Sequence, residues 1–146
     1  MPKLSGSFNG RTTWLTTIPQ QDVAGHDVSM VEIAGMQRSD DPLWNNASIT
    51  YWGVGDAIAG NGAQSGCFLN KHADGDYDRG TFEARFKTAG DKTHMEGTWA
   101  MTGGTGKFNG ATGGGKFRTR LLSPTELECK WDGEYQTVAV GRAAGD

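Results

Sequence analysis

The sequence predicts an all-β fold: a single closed antiparallel barrel of about eight strands in meander order, spanning residues 1–146 as one domain. Three observations carry that prediction. Apolar and polar residues alternate with period two through nearly every segment, and no segment holds a helical period over a useful length. Turn signals separate the segments at Asp40-Asp41-Pro42, Gly60-Asn61-Gly62, Asp74-Gly75-Asp76, Gly90-Asp91 and Ser123-Pro124. Glycine, at 23 residues, falls inside alternating segments (Gly6, Gly10, Gly53, Gly55, Gly97 and Gly133), where it lets strands bend at barrel corners. A β-sandwich is the alternative, but closure removes exposed edges and leaves an interior able to hold one small ligand.

Taken in order, LSGSFNGRTTWLT sets Leu4, Phe8, Thr12 and Trp14 against Ser5, Ser7, Asn9 and Arg11. DVSMVEIAGM, ASITYWGVGDA and SGCFLNKHA alternate less cleanly. GTFEARFKT puts Phe82, Ala84 and Phe86 on one face, and THMEGTWAMT puts Met95, Trp99 and Met101 there. GKFRTRL contributes Phe117, Thr119 and Leu121, and LECKWDGEY contributes Leu127, Cys129, Trp131 and Tyr135. One face buried and one wet is the pattern of an antiparallel sheet over a core.

Composition removes several classes of function. A hydrophobic fraction of 36% with five tryptophans is that of a folded chain. Net charge is −3 with no cluster of Lys and Arg, so nucleic acid is not an expected partner. MPKLSGSFNG has no apolar run of the signal-peptide kind and no segment approaches membrane-spanning length, so a cytoplasmic protein without membrane partners is expected, with Cys67 and Cys129 reduced.

The stretch GTWAMTGGTGKFNGATGGGKF, residues 97–117, resembles a phosphate-binding loop and fails the test. Counting back from Gly106-Lys107, the first position of a Walker loop is Met101, and Phe108 follows the lysine where Ser or Thr is required. The dinucleotide fingerprint breaks at Asn109. The glycines instead suit a compact connection between two strands, with Phe108 plugging one end of the barrel. Asp74-Gly-Asp76-Tyr-Asp78 imitates a calcium loop but has Arg79 and Arg85 where Gly and Glu belong, so it reads as a hairpin turn. His26, His72 and His94 lack metal-ligand spacing; no metal and no cofactor are expected.

EGTWAMTGGTGKFNGATGGGKF, together with WDGEY at 131–135 and GCFLNKHADGDYDRGTFEARF before it, resembles a group of small bacterial β-barrels similar to the allene oxide cyclase-like and dirigent-like barrels. The likeness covers Gly66 to Tyr135 and implies a barrel, an apolar substrate, no cofactor, and assembly as homo-dimers or homo-trimers. It assigns no catalytic residue.

Candidate chemistry therefore comes from polar residues that share a face with apolar ones. Glu32 lies with Val28, Met30, Ala34 and Met36; if that face is inward, desolvation raises its pKa and makes it a general acid or base. The opposite assignment, with Val31 and Ile33 inside, leaves Glu32 in water. His72 shares a face with Phe68 and Asn70 and is the second catalytic candidate, against the plainer reading of a rim histidine without a task. The expected ligand is a small apolar or aromatic molecule among Trp14, Met30, Trp52, Phe68, Asn70, Phe82, Phe86, Trp99, Phe117, Trp131 and Tyr135. The expected activity is that of a cofactor-independent isomerase, cyclase or lyase, and the alternative is a carrier or sensor with the same pocket.

Overall fold

A computed structural model describes residues 3–138. Eight strands follow one another: β1 (Lys3–Pro19), β2 (His26–Arg38), β3 (Ser48–Ile58), β4 (Asn61–Lys71), β5 (Tyr77–Ala89), β6 (Lys92–Gly104), β7 (Thr112–Ser123) and β8 (Glu126–Gln136). Each pairs antiparallel with the next, and β8 closes on β1, from Lys3 opposite Glu134 to Arg11 opposite Glu126. The predicted eight-stranded meander barrel is what the chain adopts.

Alternation decides what faces the lumen. Phe8, Ile33, Ile49, Tyr51, Phe68, Phe82, Leu127 and Cys129 form one buried cluster inside the wall. Outward positions on β5 to β8 carry the charge, including Glu83, Arg85, Glu96, Lys116, Arg118 and Lys130, all exposed. Hydrophobic-in, polar-out patterning of this kind is the main stabilisation of an antiparallel sheet that curves onto itself.

One departure from simple alternation matters. A bulge between Thr12 and Trp14 inserts Thr13 as an extra residue. One extra residue reverses the facing of everything after it. Trp14, expected inside with Leu4 and Phe8, is therefore turned outward and is 63% exposed. Thr13 uses its hydroxyl to donate to Glu32 Oε1 at 2.7 Å.

The two ends of the barrel differ. At the end where β1 begins, three connections fold over the opening. The β2–β3 connection buries Trp44, ordered by an Asp41 side chain that accepts the Leu43 amide at 2.9 Å. The β6–β7 connection makes a 3-10 turn, Gly106–Phe108, and buries Phe108 completely. Trp44, Phe108, Leu4, Met101 and Ala111 form a second apolar cluster that stoppers this end.

The two sequence stretches that imitate ligand loops hold each other here. Lys107 ion-pairs with Asp74, and its backbone amide donates to Asp76 at 3.4 Å. Gly106 has φ +55, and a Cβ there would run into the Asp76 carboxylate. The lysine and the aspartates tie the β4–β5 turn to the β6–β7 turn.

At the opposite end the β1–β2 loop is pinned by His26, whose ring nitrogens contact Asp22 at 2.7 Å and Asp56 at 2.6 Å. The Asp22 hydrogen bond, followed by that to Asp56, raises the pKa of His26 above its ordinary 6.5. A raised pKa means the latch contributes fully below about pH 6.5 and is lost as pH rises through the higher folded value. The stability difference between wild type and His26→Gln should accordingly shrink across that alkaline side of 6.5, as measured by urea unfolding at stepped pH. A difference that stays constant with pH would show that the latch does not titrate there.

Candidate functional site

Within the lumen lies a cavity of about 70 Å³. That is several times the ~10–15 Å³ that admits one water. Its wall is mostly apolar: Phe8, Ile49, Tyr51, Phe68, Phe82, Met95, Trp99, Met101, Phe117, Cys129 and Trp131 line it, with Trp44 closing one side. Burial pushes the Cys129 thiol up to about 12 and raises Tyr51 as well. Both stay protonated at neutral pH, and Cys129 is an inert wall residue.

Against this wall runs one polar chain. Trp131 Nε1 donates to Gln37 Oε1 at 2.8 Å, and Gln37 Nε2 donates to Asn70 Oδ1 at 3.0 Å. Asn70 Nδ2 donates to Asp78 Oδ2 at 3.0 Å, and Asp78 Oδ1 meets His72 Nε2 at 2.6 Å. His72 Nδ1 faces the Leu43 carbonyl at 2.9 Å. Gln37, Asn70, His72 and Asp78 are all buried, and Asp78 is 0% exposed.

The hydrogen-bond inventory fixes the roles. A carbonyl only accepts, so His72 Nδ1 donates to Leu43; a proton also lies between Nε2 and Asp78 Oδ1. The pair is an imidazolium–carboxylate or its neutral imidazole–carboxylic acid equivalent. Gln37 Nε2 and Asn70 Nδ2 each retain a second hydrogen, and Asp78 retains lone pairs. All three residues line the cavity, so the apolar lumen has one polar corner offering two amide donors and a carboxyl group.

Local sequence explains the convergence. Asp78 is inward because it continues the parity of Gly80, Phe82 and Ala84, and it pairs with Asn70 on β4. Gln37 continues Ile33 and Gly35 on β2. His72 follows Phe68 and Asn70 at the end of β4 and is gripped by aromatic rings, stacked on Phe108 at 4.7 Å and edge-on to Trp44 at 4.9 Å. It is therefore neither a free rim histidine nor in direct contact with the cavity: it sits behind Asp78 and joins it to the stopper.

Of the residues expected in the pocket, Phe68, Asn70, Phe82, Trp99, Phe117 and Trp131 come together around the cavity. Phe86 is on the inner wall, beyond the cavity towards the β1–β2 loop end, and Tyr135 packs on Trp44 at the stoppered end with ring centroids 4.8 Å apart. Four expectations are corrected. Trp14 is outside because of the Thr13 bulge. Glu32, Met30 and Trp52 share the outer face of β2 and β3, since Glu32 pairs with Trp52 and Val31 and Ile33 take the inner positions. Glu32 accepts from Thr13 and, at 2.7 Å, from Trp52 Nε1, and these bonds lower its pKa instead of raising it. A carboxylate so held on the outer wall cannot reach the lumen.

Gln37 and Asp78 were not among the sequence candidates. The parity of TFEARF extends back to Asp78, so that signal existed; the turn-rich DGDYD concealed it.

The fold and site together define a closed eight-stranded antiparallel barrel with a small apolar lumen and one buried polar corner. No protein-family model matches the chain, and no curated protein is similar to it in sequence.

Proposed function

We propose that the lumen binds a small, mostly apolar molecule through a single hydrogen-bonding head group. The observation that carries this reading is the polar corner of Gln37, Asn70 and Asp78 in a cavity whose lining is apolar elsewhere except at Thr119. Such pockets take hydrophobic ligands and orient them with a few polar groups. A carbonyl or hydroxyl head suits the two amide donors and the Asp78 oxygens, while the ligand body packs on Phe82, Trp99 and Phe117.

A second reading adds turnover, as a cofactor-independent isomerase, cyclase or lyase. It is favoured by Asp78, a fully buried carboxyl group beside the cavity with a proton-sharing histidine behind it. Asp78 then takes the acid–base role, with His72 as its positioning partner. A kinship with the allene oxide cyclase-like and dirigent-like barrels belongs to the same proposal; the closed meander and the Gly104-Thr-Gly-Lys-Phe108 connection support it.

The test is a panel of small aromatic, terpenoid and polyketide-like compounds, followed by tryptophan fluorescence and melting temperature, with products analysed by mass spectrometry. A true ligand should quench Trp99 or Trp131 and raise the melting temperature. Asn70→Ala should weaken it by roughly five- to thirtyfold, the worth of one or two lost hydrogen bonds. Affinity indifferent to Asn70→Ala would overturn the head-group assignment. If a compound is converted, Asp78→Asn should retain binding and abolish conversion; conversion unchanged in that variant would remove Asp78 from the chemistry.

A further inference from the structure

The Thr13 bulge does more than turn Trp14 outward. On the outer wall the register sets Trp14 of β1 beside Glu32 of β2, and Glu32 beside Trp52 of β3. A carboxylate thus stands between two indoles in one cross-strand row. Bulges are frequent beside functional sites, where they re-aim a side chain. Tryptophan is highly buried on average, yet Trp14 is 63% exposed and belongs to neither apolar cluster.

Glu32 carries an unbalanced charge. Its donors, the Thr13 hydroxyl and Trp52 Nε1, each at 2.7 Å, are neutral. They hold its pKa below the ordinary carboxylate value, so the group is ionised at neutral pH. The nearest arginine or lysine in the register, Arg11, stands opposite Ala34, and among the described residues no ion pair reaches Glu32. Asp56, farther along the outer face of β3, adds a second carboxylate, which His26 contacts. Met30 and Val54 pair beside the row and are 55% and 50% exposed, giving it an apolar flank.

The spacing suits a cation. Adjacent strands run ~4.7–4.9 Å apart, so the backbones beneath Trp14 and Trp52 are about 10 Å apart with Glu32 midway. A positive charge seated over Glu32 then lies about 5 Å from the strand of each tryptophan, inside the ~6 Å range over which an indole attracts a cation.

We propose that the Trp14–Glu32–Trp52 row is a second binding site, separate from the lumen, for a small quaternary ammonium compound. A primary ammonium is strongly hydrated and needs its three donors paired, whereas each Glu32 oxygen already takes one hydrogen bond. A quaternary ammonium has no donors to satisfy. Its methyl groups pack on the indoles, Met30 and Val54, and Glu32 supplies the countercharge.

The test is titration of isotope-labelled protein with choline chloride at constant ionic strength, following the indole N–H signals by NMR. The Trp14 and Trp52 signals should shift saturably in the millimolar range, and that of Trp44, buried in the stopper, should stay in place. The neutral carbon isostere of choline, dimethylbutanol, should bind at least roughly tenfold more weakly. Trp14→Ala and Glu32→Gln should each weaken choline about three- to tenfold with an unchanged circular dichroism spectrum, and Trp14→Phe should recover part of the loss. Shifts that fail to saturate, or equal binding of choline and dimethylbutanol, overturn the proposal. So does an affinity indifferent to both Trp14→Ala and Glu32→Gln. Methylammonium bound more tightly than choline overturns the quaternary head group.

Discussion

Asp78→Ala should lower the unfolding free energy by about 3–5 kcal/mol, the usual result of removing one member of a buried charged or proton-sharing pair. The carboxyl group is fully buried and serves two neighbours, His72 at one oxygen and Asn70 at the other. Alanine removes the partner of His72 Nε2 and of one Asn70 hydrogen, leaving both in the interior without their protein acceptor. The damage should spread to the stopper, because His72 also holds the Leu43 carbonyl and stacks on Phe108. Urea unfolding measures the loss, and a melting temperature lower by roughly 10 °C would accompany it. Asp78→Asn, which keeps the shape and one acceptor, should lose less. A loss under about 1 kcal/mol for the alanine variant would show that the polar chain is not a structural unit.

Gly66→Ala should cost about 3 kcal/mol, at the upper end of overpacking effects. A Cβ on Gly66 would collide with the Trp52 carbonyl oxygen and the Gly53 Cα, all backbone atoms that cannot swing aside. The neighbouring strand would have to shift. Gly115, against the Asp132 carbonyl, repeats the situation on β7. Gly55 makes the contrast. Its nearest neighbour to an added Cβ is 3.7 Å away and its φ is not positive, so Gly55→Ala should stay within about 1 kcal/mol of wild type. Equal effects at Gly55 and Gly66 would mean that strand propensity, and not the close approach of strands, sets the cost.

The fold was legible because period-two alternation recurs between turn signals, and alternation is a local property. Inward placement of Phe68, Asn70 and His72 followed from one short string, GCFLNKH. Parity alone could not say which face of β2 was inside, since Met30 and Met36 make the outer face as apolar as the inner one. The facing of Glu32 therefore stayed open until packing decided it. Trp14 was misplaced because nothing in TTWLT distinguishes a bulge from continuous strand. The polar corner was hidden for another reason. Gln37, the Asn70/Asp78 pair and Trp131 lie far apart in the chain and meet only through cross-strand register and barrel closure. Trp44 sits in a connection, where alternation says nothing about burial.

The closure of β8 onto β1 also bears on how the chain reaches this state. Every other seam joins consecutive strands and can zip from its own hairpin, whereas this one joins the two strands farthest apart in the chain. Loop-closure entropy makes such a seam the slowest to form, and proteins dominated by distant pairings fold in milliseconds to seconds. Until the seam closes, the chain is an open sheet with two bare edges, and in that interval β8 of one molecule can add to β1 of another. The step that removes the edges in the finished barrel is thus where folding competes with strand exchange between molecules, and raising the protein concentration during refolding should shift the outcome towards exchange.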